Sequence, residues 1–180
     1  APILSSLAAL RCGTDLVYTA IPKVNVQSTR AISPNLIVIP LVDQKLTRGA
    51  VRKLLGQIPK SLDSATIGMG LSIQDNEALK VLVKSLIDSD VRLSLDASAL
   101  VSDILPLIPN TNSVVTPHVG EFKRLFGDSP SSNLKQRINM VEKFAKEFSV
   151  TILIKGSTDV ISDGKNTYLN PKKTPAMTDG

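Results

Sequence analysis

Short apolar runs alternate along this chain with longer stretches whose apolar residues recur at helical spacing. Leu16 to Ala20, Leu36-Ile37-Val38-Ile39, Ala65-Thr66-Ile67, Val91 to Leu95, Ser113-Val114-Val115 and Val150 to Ile154 read as short buried strands. Ile21-Pro22 is expected to end the first and Pro40 the second. Residues 2–12 predict a helix stopped by Gly13. Residues 23–35 are polar and read as a surface loop.

Thr47 opens a further helix with Val51, Leu54, Leu55 and Ile58 on one face, broken by Pro59. Ser72 and Asp75 have capping-box spacing ahead of a stripe through Leu79, Leu82, Val83, Leu86 and Ile87. A short helical turn is expected before Ile108, and Leu134, Ile138, Val141, Phe144, Ala145 and Phe148 predict a late helix. Asp163-Gly164, inside Val160 to Leu169, is a strong hairpin turn signal.

Strands alternating with helices imply an α/β fold, with a mainly parallel sheet covered on both faces and an antiparallel hairpin at one edge. At 180 residues the chain suits one domain. The helical pattern is already under way at Ala1, and no capping element follows the last strand, so this domain is expected to be incomplete at both ends.

Composition narrows the class. With 42% hydrophobic and 21% charged residues the chain is globular, and no apolar run is long enough to span a membrane. The single Cys12 cannot form an internal disulfide, which fits a reducing cytoplasm, and its apolar surroundings predict burial. Twenty-one Lys and Arg against 16 Asp and Glu give a net charge of +5. The basic residues are scattered and aromatics are only 3%, so a mild field for small polyanions is a better reading than a nucleic-acid surface.

Candidate chemistry collects at strand ends. In an open parallel sheet, Gly68-Met69-Gly70, Asp96-Ala97, His118 to Glu121 and Lys155 to Asp159 would converge on one rim, where such sheets bind ligands. Thr116 is expected to N-cap a helix with Pro117 at its first position, which puts the only histidine in the first turn. The glycine pair allows either close backbone approach to a ligand or a tight turn. Asp96 can orient a hydroxyl, hold a metal or cap a helix. Lys155 suits a phosphate or remains a solvated surface lysine. Neither the P-loop pattern nor G-x-G-x-x-G is present.

Five blocks then stand in a recognisable order. They are Ala1-Pro2-Ile3-Leu4 through Cys12-Gly13, Ile67-Gly68-Met69-Gly70-Leu71, Leu95-Asp96-Ala97-Ser98-Ala99-Leu100, Thr116-Pro117-His118-Val119-Gly120-Glu121-Phe122, and Ile154-Lys155-Gly156-Ser157-Thr158-Asp159. Across essentially its whole length the chain resembles the NAD(P)H-hydrate dehydratases, which are ribokinase-like enzymes. The Thr-Pro-His-x-Gly-Glu-Phe block is the most specific part. Met69 stands where a proline is common in the family, and Thr14-Asp15 where Ala-Gly is usual.

The resemblance implies a three-layer ribokinase-like fold and repair of hydrated NADH and NADPH. In that reaction ADP or ATP, with Mg2+, phosphorylates a ring hydroxyl, and phosphate then leaves. It implies substrate contacts at Ala1, Gly70, His118, Glu121 and Arg124, and nucleotide contacts at Lys155, Gly156, Ser157, Thr158, Asp159 and Gly180. The catalytic Asp belongs to a Gly-Thr-Gly-Asp motif expected just after Gly180, so no catalytic residue is assigned within the 180 residues. A homo-oligomer and an epimerase partner, separate or fused, are also implied. Two alternatives stay open: a ribokinase-like kinase for a sugar or vitamin alcohol, and a non-catalytic nucleotide-binding protein.

Overall fold

The computed structural model describes residues 1–171, and six of its strands form one sheet in the order β3-β4-β5-β6-β7-β8. These are β3 (Ser64–Ile67), β4 (Arg92–Leu95), β5 (Val114–Val115), β6 (Thr151–Ile154), β7 (Thr158–Ser162) and β8 (Thr167–Pro171). The β3 to β6 pairs are parallel, and β6-β7 and β7-β8 are antiparallel, as the pattern predicted. A separate parallel pair, β1 (Val17–Pro22) and β2 (Leu36–Leu41), lies outside this ladder.

The helices are α1 (Pro2–Arg11), α2 (Val26–Ile32), α3 (Arg48–Leu55), α4 (Asn76–Ile87), α5 (Val119–Phe126) and α6 (Leu134–Glu147). The central strands bury their apolar residues beneath the helices. Leu95, Val115, Ile152 and Ile154 are wholly buried, together with Leu79 and Val83 of α4 and Val141 of α6. The chain's four phenylalanines form a single cluster. In it Phe122 meets Phe144 edge-on at 5.4 Å and Phe126 at 4.6 Å, which fixes α5 against α6.

Five local expectations are corrected. Residues 23–35 are not all loop: a short turn of 3-10 helix at Lys23–Asn25 leads into α2. The Ser28 and Thr29 hydroxyls donate to the Asn25 carbonyl at its start, and Val26 and Thr29 are buried under it. With so few apolar residues, tertiary burial rather than periodicity makes this helix.

β1 ends at Pro22 as expected, but Pro40 does not close β2, which runs on to Leu41. Each strand of an isolated pair has a free edge, so a missing N–H costs no ladder bond when it faces outward. Asp75, not Ser72, caps α4, its carboxylate accepting from Glu77 N at 2.9 Å, because Leu46 and Ile73 form a bridge that keeps that stretch extended. Cys12 is exposed rather than buried. It is the C-cap of α1, beyond the turns that pack on β1.

The fifth correction concerns the histidine. Thr116 N donates to Leu95 O at 3.0 Å, and Pro117 O accepts from Lys155 N at 2.9 Å. Both residues are therefore held in the sheet, and α5 begins two residues later than expected, with His118 as its N-cap.

Candidate active site

The strand ends do converge. Gly68 packs so tightly on the β4 exit that a Cβ there would lie 1.7 Å from the Asp96 carbonyl oxygen, and its φ is +123°. Only glycine fits such an approach. The Ser98 hydroxyl sits 2.7 Å from Gly68 O and 2.6 Å from Leu71 O, tying the glycine turn to the next loop. Gly70, at φ +69°, faces Ala1 and Pro2, whose side chains lie 3.4 Å from its Cβ direction. Ala1 and Gly70, both predicted on the substrate side, are thus neighbours.

At the adjacent strand ends the charged groups form a chain. Lys155 Nζ lies 2.7 Å from Asp96 Oδ1 and 3.8 Å from Glu121 Oε2. Glu121 Oε2 also accepts from His118 N at 2.9 Å, and Glu121 Oε1 is 3.4 Å from His118 Nε2. One ammonium is therefore shared by two carboxylates from different strand ends. Asp96 occupies an N-cap position, yet its carboxylate makes no capping bond because it serves Lys155. The cap reading of Asp96 is thereby corrected.

His118 caps α5 through its ring. Nδ1 accepts from Gly120 N at 3.0 Å and from Glu121 N at 3.4 Å, while Glu121 returns the bond to His118 N, a complete capping box. An accepting Nδ1 carries no proton, so in this arrangement the ring hydrogen is on Nε2. With Nδ1 occupied and 59% of the side chain exposed, His118 offers a ring face and a donor edge rather than a free base. The helix start adds its own field, which favours anions.

Arg124 behaves differently from a free substrate contact. Its Nε donates to Leu100 O at 2.8 Å, and an Nη donates to Ala97 O. It clamps the loop after Asp96, where Ala97 is held at φ +50°. Asp159 is buried, with Oδ1 accepting from Gly156 N at 3.0 Å, so it closes the 156–159 turn. Ser157 is exposed and Thr158 half-buried beside it. Gly180 lies outside the described residues.

Two contributors were missed from the sequence. Ser98 stands in one of the five blocks, two residues after a strand-end Asp, but no role was assigned to it. Arg137 lies on the polar face of α6, where it donates to Ser131 O at 3.1 Å and packs its guanidinium over Gly156. Its only sequence signal is a basic residue on an amphipathic helix. Among the described residues no three His, Cys, Asp or Glu side chains gather to hold a metal ion. Asp96 and Glu121 both face Lys155, so these residues do not fit a protein-held Mg2+. No helix among the described residues is long and apolar enough to cross a membrane.

The fold and site can be set beside known proteins. The family model described as NAD(P)H-hydrate dehydratase matches residues 1–180. The chain is 71% identical over 180 residues to the ADP-dependent (S)-NAD(P)H-hydrate dehydratase of Nitrosopumilus maritimus. It is 65% identical to the protein of that name from Cenarchaeum symbiosum. In both cases it covers all of this chain and 63% of the relative. An ADP/ATP-dependent NAD(P)H-hydrate dehydratase from Bacillus subtilis, co-crystallised with ATP/Mg2+, superposes with a TM-score of 0.79. At 21% identity, covering 99% of this chain and 61% of that one, it shows a common fold. Matched from Ala1 to Gly180, the chain belongs to the NAD(P)H-hydrate dehydratase family.

Proposed function

We propose that this chain supplies the substrate wall and part of the nucleotide side of an ADP-dependent dehydratase that returns hydrated NADH and NADPH to the intact coenzymes. The observation that carries this reading is identity of 71% and 65%, over all 180 residues, to two proteins named for that activity. ADP is favoured over ATP as phosphoryl donor because both names specify it.

The chemistry suits a rim of strand ends. Hydroxide is a poor leaving group and phosphate a good one. The ring hydroxyl oxygen attacks the terminal phosphorus of ADP, the P–O bond to AMP breaks, and the hydroxyl proton is released. The C–O bond then breaks with loss of phosphate, and a proton leaves the neighbouring ring carbon as the double bond forms. Phosphoryl transfer needs positioning and charge neutralisation more than covalent help.

Here Lys155 neutralises nucleotide phosphate, with Asp96 and Glu121 fixing its ammonium. Ser157 and Thr158 offer hydroxyls beside it. His118 presents its ring to the hydrated nicotinamide, with Ala1 and Gly70 as backbone wall, and Glu121 and Arg124 hold that wall in shape. The proton acceptor for the hydroxyl is the Asp expected after Gly180. An epimerase that interconverts the hydrate's stereoisomers is the fitting functional partner, and a homo-oligomer and a cytoplasmic setting complete the reading.

The test uses the protein as its gene encodes it, with hydrated NADH, and follows the reduced-nicotinamide absorbance band. Recovery of NADH that requires ADP supports the reading. Phosphorylated substrate that accumulates without NADH would instead mark a ribokinase-like kinase, and no turnover with tight ADP binding a non-catalytic binder.

A further inference from the structure

The missing side chain of Gly156 makes room for an arginine. A Cβ there would lie 2.8 Å from Arg137 Nη1 and 3.3 Å from Thr158 O. Gly156 has no left-handed φ, unlike Gly68 and Gly70, so glycine supplies space here and not backbone freedom. This brings a guanidinium from α6 onto the turn at a residue flanked by Lys155 and the exposed Ser157.

That guanidinium is held in place but not neutralised. Nε donates to Ser131 O at 3.1 Å and Nη2 to Ser132 O at 3.4 Å, and both acceptors are uncharged carbonyls. The Ser131 hydroxyl steadies the same loop, donating to Gln136 Oε1 at 2.7 Å and accepting from Asn133 N at 3.1 Å. Among the described residues Arg137 enters no ion pair, and its Nη1 donates no hydrogen bond. One edge of the fork is therefore preorganised and open.

The charge at the turn gives that edge a use. The ammonium of Lys155 already faces Asp96 and Glu121, and two carboxylates against one ammonium leave a net negative charge. That trio alone repels a polyphosphate. A bound phosphate needs a cation that no carboxylate already holds, and Arg137 meets the same turn. An arginine fork also matches phosphate oxygens more closely than a lysine point charge.

We infer that Arg137 is a nucleotide-binding residue, its Nη1 edge donating across Gly156 to a phosphate oxygen of ADP beside Lys155. The inference rests on the proposed use of ADP at this turn and adds to it a contact from α6. Because Nε and Nη2 hold Ser131 and Ser132, the same side chain ties the loop before α6 to the bound nucleotide.

Calorimetric titration of ADP and of hydrated NADH into the protein as its gene encodes it tests this, in wild type, Arg137→Met, Arg137→Lys and Gly156→Ala. Arg137→Met should weaken ADP about tenfold or more, the scale of one lost charge-assisted hydrogen bond. It should also flatten the fall of ADP affinity with added salt, and move hydrated NADH far less. Arg137→Lys keeps the charge without the fork and should recover only part of the affinity. Gly156→Ala puts a methyl where Nη1 lies and should reproduce much of the Arg137→Met loss, with little further loss when the two are combined. It answers the question even where Arg137→Met fails to fold. Unchanged ADP affinity in these variants of a wild type that binds ADP would overturn the inference alone. So would equal weakening of both ligands with the salt dependence intact, which would leave Arg137 a support of the turn. A wild type that does not bind ADP would overturn the proposed function and the inference with it.

Discussion

Lys155 Nζ and Asp96 Oδ1 meet at 2.7 Å although 59 positions separate them in sequence. They sit at the ends of β6 and β4, with β5 between, so the contact is a product of parallel register. The pair joins the proposed phosphate side of the rim to the loop that packs on the glycine turn.

Replacing Asp96 by Asn should release the ammonium of Lys155 without removing it. Lys155 is more than a third exposed, so the cost in stability is small, about 1 kcal/mol or less by urea denaturation. Nucleotide affinity should move more than stability, because the ammonium is no longer aimed. A double-mutant cycle with Lys155→Met should give a coupling of about 0.5–1 kcal/mol in nucleotide binding. Strict additivity would mean that Asp96 does not position Lys155.

Two glycines give opposite expectations. Gly68→Ala puts a methyl 1.7 Å from Asp96 O at φ +123° and should cost about 3 kcal/mol or more. Gly127→Ala at φ +81° meets nothing within 4 Å and should cost only about 1 kcal/mol of backbone strain. Denaturation midpoints of the two variants check the ordering.

Phe122 is wholly buried in the phenylalanine cluster, against Phe126 and Phe144. Phe122→Ala should cost about 3–5 kcal/mol, the range for losing a core aromatic and leaving a cavity. Phe122→Leu keeps most of the volume and should cost less than half as much. Equal losses would mean that ring contacts, not filled space, hold α5 in place.

Asp163 carries the hairpin's response to acid. The amides of Asn166 and then Lys165 hold its carboxyl below the ordinary value of 3.8. A depressed folded-state value makes this contribution complete above the ordinary value, and it is lost as pH falls through the folded one. The Asn166 amide, which donates to that carboxyl at 2.7 Å, should therefore lose protection in that acid window. Asp163→Asn should flatten that part of the profile, and an unchanged profile would contradict the assignment.

Much of this architecture can be read from residues. β6 announces itself by the apolar run Ile152-Leu153-Ile154, β4 by the alternation of Leu93 and Leu95 with polar residues, and Asp163-Gly164 dictates its turn. Because a parallel sheet with its carboxyl ends on one rim follows from the alternation of strands and helices, the convergence there was legible too. α2 was not, since Val26 and Thr29 owe their burial to tertiary packing. The start of α5 was misread because Thr116 and Pro117 resemble a cap and first turn, while their backbone bonds belong to the sheet. The service of Asp96 to Lys155 depends on register between strands, which no local pattern contains.

The central claim is that one rim carries two ligands side by side, nicotinamide at His118 and phosphate at Lys155. Calorimetric titration of hydrated NADH and of ADP into His118→Ala and Lys155→Ala versions of the encoded protein tests it most directly. The account predicts that His118→Ala weakens the hydrated coenzyme at least tenfold more than ADP, and that Lys155→Ala does the reverse. Equal weakening of both ligands in both variants would contradict it and leave the two residues as supports of the fold.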